Sequence, residues 1–130
     1  MGFFDLFKTQ KEIVNEEIVE VPWHILNNME QLDTIILESK NSPVAIFKHS
    51  TRCGISRGVM KIFERNYALT DDQLKLYYLD IFENRAISDE IAVRFQVNHE
   101  SPQLIVIMDG LVVYYDSHHS IEASQLKKFV

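Results

Sequence analysis

The sequence predicts an α/β domain built on a mixed sheet of four to five strands with helices on both faces. Three observations carry that expectation. "VAIFKH" and "QLKLYYLDIF" are β-branched and aromatic runs separated by a segment of helical period, which makes a strand–helix–strand unit with parallel strands. "QLIVIM" and "LVVYY" flank Asp109–Gly110, the strongest short-range hairpin signal. The remaining segments repeat apolar residues every three or four positions, as one face of a helix does.

The elements follow in order. Residues 1–20 form a leader with an aromatic cluster (Phe3, Phe4, Phe7) and a charged, weakly patterned tail, room for a short amphipathic helix; residues 21–130 form the main domain. "EIVEVPW" supplies a short edge strand, where Pro22 is tolerated. Asn27 or Asn28 caps a helix carrying Leu32, Ile35, Ile36 and Met29 on one face. The segment after "STRCG" places Ile55, Val59, Ile62, Phe63 and Tyr67 on one helical face, and Gly58 within it suggests close packing. "NRAISDEIAVRF" is a third helix with Ile87, Ile91 and Phe95 inward and Asp89 and Glu90 near its positive end. "SIEASQLKKFV" closes the chain as a helix capped by Ser120, with Lys127 and Lys128 in its last turn.

Composition narrows the function. The chain has 130 residues, 46% of them hydrophobic and 25% charged, which suits a single domain with a sizeable core. The net charge of −6 argues against a nucleic-acid partner, since phosphate neutralisation needs surplus Lys and Arg. No run is long and apolar enough for a membrane span, and the start lacks the pattern of a signal peptide. With one cysteine no intrachain disulfide can form, so a reducing cytoplasm is the expected compartment. The histidines match no zinc spacing, so no metal site is expected.

That one cysteine, Cys53, stands where a strand turns into a helix, in "HSTRCGISRG". Unpaired amides and partial positive charge at a helix start favour thiolate over thiol, and Arg52 and Arg57 add charge nearby. Gly54 leaves a substrate room to approach. Ser56 occupies the position a second cysteine would take in a C-x-x-C pair. A hydroxyl there can donate to a sulfur anion but cannot attack a mixed disulfide, so resolution must come from another molecule's thiol. An inert thiol at a helix start is the other reading, and the strand–turn–helix setting with its arginines and glycine favours the reactive one. His49, at the end of the preceding strand, either tunes the thiol or is an ordinary half-buried histidine. Pro102 begins a strand, where proline is allowed; about 5% of X–Pro bonds in folded proteins are cis, so the residues alone do not demand that isomer.

"HSTRCGIS" and "HESPQLIVIMDG", in a chain with this element order, resemble the monothiol bacilliredoxin family, of thioredoxin-like fold, over about residues 22–130. The resemblance implies that Cys53 is the nucleophile, flanked by Thr51 and Arg52 in the catalytic loop, and that Ser56 replaces a resolving cysteine. It also implies that Gly54, Ser101 and Pro102 contact substrate, Pro102 as a cis-proline facing the sulfur and Ser101 through its backbone. The activity implied is removal of bacillithiol from S-bacillithiolated proteins, with bacillithiol or a similar low-molecular-weight thiol as co-substrate and no bound cofactor. Members of the family usually show Cys-Pro-Ile-Ser, so Gly54 is a departure. "CGIS" is also one letter from the Cys-Gly-Phe-Ser of monothiol glutaredoxins, which carry a [2Fe–2S] cluster, but "YYDSHHSI" lacks their Gly-Gly. A thioredoxin-like module that only binds proteins is the third reading.

Overall fold

The computed structural model describes residues 20–130. The expected leader, residues 1–20, lies outside the described residues apart from Glu20. The chain runs β1 (Trp23–Ile25), α1 (Gln31–Glu38), β2 (Val44–His49), α2 (Gly54–Asn66), β3 (Lys75–Asp80), α3 (Arg85–Phe95), β4 (Gln103–Met108) and β5 (Leu111–Ser117), then two 3-10 segments. The strands form one five-stranded sheet in the order β1-β3-β2-β4-β5. The parallel pairs β1–β3 and β2–β3 and the antiparallel pairs β2–β4 and β4–β5 make it mixed.

Every residue of β2 is buried, because this central strand is covered on both faces. Val44 and Ile46 join a core with Leu32 and Ile35 of α1 and Ile87 and Ile91 of α3. Ala45 and Phe47 face the other way, against Val59, Phe63 and Tyr67 of α2 and Leu126 near the C-terminus. Trp23 packs against both Phe47 and Phe63 there, at 5.9 Å between ring centroids. Asp109 and Gly110 both adopt positive φ, 54° and 76°, as the two-residue hairpin turn requires. Ser39, at the end of α1, fixes that turn by accepting hydrogen bonds from Asp109 N at its carbonyl and Gly110 N at its Oγ.

Several local expectations are corrected. The first strand begins at Trp23, beyond most of "EIVEVPW", and residues 17–19 of that stretch lie outside the described residues. Helix α1 starts at Gln31: Asn28 Oδ1 accepts from Gln31 N, and Gln31 Oε1 accepts from the backbone N–H groups of Asn27 and Asn28. Met29 is consequently outside the helix and exposed. On α2 the inward stripe is Ser56, Val59 and Phe63, while Ile55 and Ile62 are exposed, rotated off the face that meets the sheet. Gly58 has open space where a Cβ would stand, so it is not a point of close packing.

Helix α3 begins at Arg85, which puts Asp89 and Glu90 in its second turn; they pair instead with Arg85 and Arg94 at i,i+4 spacing. The C-terminal segment is a short 3-10 turn, His118–Ser120, followed by a 3-10 helix, Ala123–Phe129, preceded by Glu122 rather than capped by Ser120. Ala123, Leu126 and Phe129 recur every third residue against the core, the period of a 3-10 helix and not of an α-helix.

Candidate active site

The site lies beyond the C-terminal end of β2, where the chain leaves the sheet, turns through Ser50–Arg52 and enters α2. Cys53 is the residue just outside the helix, with extended backbone (φ −103°, ψ 122°). Its N–H donates to Ser50 O (3.2 Å), closing the turn, and its carbonyl accepts from Arg57 N (3.0 Å), the first helical bond. The thiol is free and partly exposed. The start of a 13-residue helix therefore stands at its back, as the sequence expected.

Ser56 lies one turn into the helix and is fully buried. Its Oγ accepts a hydrogen bond from Ser50 N (3.0 Å) and shares another with Nδ1 of His49 (2.8 Å). That hydroxyl ties the last residue of β2, the turn and the first turn of α2 together. Among the described residues no hydrogen bond reaches Cys53 Sγ, so Ser56 serves the scaffold beneath the thiol instead of donating to the sulfur. His49 is buried as well. Burial is the main reason its imidazole is held below the ordinary histidine value, with Asp80 and Glu64 pulling the other way. It acts on the thiol's loop through Ser56, a role the seven-residue spacing from strand end to helix start could have suggested.

The two arginines are held differently. Arg57 Nη1 donates to Thr51 O (3.0 Å), bracing the turn from the helix side. The Arg52 guanidinium lies 3.6 Å from the ring centroid of Phe82, a residue of the turn after β3 that the sequence reading did not single out. Gly54 is the first residue of α2 and does not have positive φ. A Cβ there would meet only the flexible end of Arg57, at 3.8 Å. Glycine is therefore not required by the backbone.

The second segment arrives through the sheet. Lys48 pairs with Gln103 in the antiparallel β2–β4 register, so the residues just before β4, Ser101 and Pro102, run alongside the end of β2 and the turn that carries Cys53. The Ser101–Pro102 bond is cis. Pro102 is buried and its carbonyl accepts from His118 N. Among the described residues neither backbone group of Ser101 pairs with another backbone group. Thr51, Arg52, Cys53, Gly54 and Ser56 thus share one turn and helix start, with Ser101 and Pro102 on the neighbouring strand entry. Among the described residues no group of His, Cys, Asp and Glu could hold a metal ion, and no helix is long and apolar enough to cross a membrane.

The family model described as monothiol bacilliredoxin BrxC matches residues 24–126. The chain belongs to the monothiol bacilliredoxin family. A solved structure described as a candidate oxidoreductase with a thioredoxin fold is 32% identical, with 82% of this chain and 91% of that chain covered and a TM-score of 0.69. Fasciola hepatica thioredoxin (19% identity, 81% and 93% covered, TM-score 0.62) and Malassezia sympodialis thioredoxin (17%, 80% and 84%, 0.61) share the fold. This bacilliredoxin is thus a thioredoxin-like protein of redox type whose single cysteine makes it monothiol.

Proposed function

We propose that the protein removes bacillithiol, or a similar low-molecular-weight thiol, from S-thiolated proteins in the cytoplasm. The Cys53 thiolate attacks the small thiol's sulfur in the mixed disulfide. A new S–S bond forms to Cys53, the bond to the target protein's sulfur breaks, and the target leaves as a thiolate that takes a proton from water. A thiol from a second molecule then attacks the Cys53 adduct, forms its own disulfide with the small thiol and returns Cys53 as thiolate. Electron pairs pass from sulfur to sulfur in both steps, so bacillithiol is a co-substrate and no bound cofactor is needed.

The observation that carries this reading is the contrast between positions 53 and 56. One holds a partly exposed thiol at a helix start, and the other a buried hydroxyl committed to His49 and Ser50. The adduct on Cys53 consequently has no internal route of release. Thr51 and Arg52 shape the turn, Gly54 leaves the approach open, and the free backbone of Ser101 beside cis-Pro102 pairs with the disulfide-bearing substrate. The test is release of bacillithiol from an S-bacillithiolated protein in the presence of a reducing thiol. The native chain should accelerate release and Cys53→Ser should not; equal release by both contradicts the proposal.

A further inference from the structure

Residues 98–102 lead from α3 into β4 and carry the Ser101–Pro102 pair. Several bonds hold them. Gln103 Nε2 donates to Asn98 O (3.0 Å), Ser117 Oγ donates to the Glu100 carboxylate, and Pro102 O accepts from His118 N (2.9 Å). Nδ1 of His99 shares a hydrogen bond with Ser88 Oγ (3.0 Å), which ties the segment to α3. Ser88 is fully buried, and its carbonyl accepts from Nζ of the equally buried Lys48 (3.2 Å), one residue before the end of β2. One serine thus grips both halves of the site. Its hydroxyl holds the segment that ends in Ser101 and Pro102, and its carbonyl holds the strand that runs into the Cys53 turn.

We infer that His99, Ser88 and Lys48 are positioning residues for the exchange at Cys53: they set where the Ser101 backbone stands against the Cys53 turn, and neutral His99 is the form that holds this placement. The inference rests on the thiol-transfer reading and adds the residues that align a polypeptide substrate. A protonated His99 faces the Lys48 ammonium from β2 and the Arg85 guanidinium from α3, opposed by Asp89 of α3 and Glu100 of its own segment. Burial first, then Lys48 and Arg85, hold the imidazole below its ordinary value, so the neutral form prevails at pH 7. Acid should therefore loosen the segment without touching the thiol.

The test compares two disulfides that leave the same 2-mercaptoethanol adduct on Cys53: 2-hydroxyethyl disulfide, and a short capped peptide without ionisable side chains whose one cysteine is joined to 2-mercaptoethanol. In each, the Cys53 thiolate bonds to a mercaptoethanol sulfur and expels the other sulfur as a thiolate, which solvent protonates. The ratio of peptide rate to small-reagent rate cancels the ionisation of Cys53 and reports how the polypeptide is aligned. His99→Ala should lower that ratio about fivefold at pH 7, the equivalent of one hydrogen bond. His99→Asn, whose amide can still meet Ser88, should restore most of it. In the native chain the ratio should fall between about pH 7 and pH 5, and in His99→Asn it should stay level. Lys48→Met should lower the ratio and start the fall at higher pH, because a charge that opposes protonation of His99 is gone. His118→Asn, at the residue whose backbone N–H meets Pro102 O, should keep the native fall. A native ratio that stays level with pH, a fall that is lost in His118→Asn, or a His99→Ala ratio equal to the native one overturns the inference and leaves the thiol-transfer reading intact. No adduct on Cys53 with either reagent overturns both.

Discussion

Lys48 and His49 are consecutive, both buried and on opposite faces of the sheet, and they are satisfied to very different degrees. On the α2 face, His49 Nδ1, the Ser56 hydroxyl and the Ser50 N–H close a small hydrogen-bonded network. On the α3 face, Lys48 Nζ donates to Ser88 O at 3.2 Å, and the Oε1 of Gln103, its neighbour in register, has no partner. Burial, countered in part by Asp89 and reinforced by Arg85, lowers the Lys48 ammonium to about 8. The polar burial beneath the thiol is thus a fitted support for its loop. The burial one residue earlier costs stability at neutral pH, because a charge is kept where its solvation is poor.

Breaking the satisfied side should have the largest effect. Ser56→Ala leaves His49 Nδ1 and Ser50 N–H without their partner, and a loss of about 2–4 kcal/mol is expected in urea unfolding. Chemical denaturation against pH adds a second readout. Unfolded His49 takes up a proton near its ordinary value while the folded imidazole, held lower, does not. The unfolded state then binds more protons, so stability falls as pH drops below about 6.5. His49→Gln should flatten that acid limb.

Relieving the strained side should work in the other direction. Lys48→Met is expected to gain about 1–3 kcal/mol at pH 7, since the unfolded lysine stays charged up to its ordinary value and the folded one does not. By the same linkage, the native chain should grow more stable between pH 8 and about 10, where the unfolded state holds the extra proton, and Lys48→Met should lack that rise. Higher pH is less informative, because the buried phenols of Tyr67 and Tyr77, raised by burial, then favour unfolding.

Gly54→Pro sharpens the comparison further, because it restores the family's usual residue without touching either buried group. Cys53 already has the backbone that a following proline demands, and the first helical position needs no N–H. A gain of about 0.5–1 kcal/mol in thermal or urea unfolding is expected. The smallest effect is the coupling between Arg52 and Phe82, about 0.5–1 kcal/mol in a double-mutant cycle of Arg52→Ala and Phe82→Ala.

Most of the fold was legible in the sequence, because long apolar runs and strong turn signals agree with one another. The crossover, the Asp109–Gly110 hairpin and the inward stripe of α3 are cases where period and chemistry point the same way. The C-terminal segment was not, since its apolar residues fit a period of three that resembles a helix from a distance. Ile55 and Ile62 misled because both lie just off the stripe of Ser56, Val59 and Phe63 that meets the sheet, which periodicity alone does not resolve. At the site, the placement of Cys53 could be read from the strand-to-helix switch. The cis bond before Pro102 came only from the family resemblance. Lys48 was hidden because a strand buried on both faces has no alternation to betray its inward side. Phe82 and Arg85 come from the turn and helix after β3, and only the folded sheet brings them to the turn that carries Cys53.

The central claim is that Cys53 accepts a small thiol and cannot release it alone. Intact-mass measurement of the native chain after mixing with an S-bacillithiolated protein tests it most directly. One bacillithiol adduct on Cys53 that persists until an external thiol is added is the predicted result. No adduct on Cys53, or an adduct lost without any added thiol, would contradict the account.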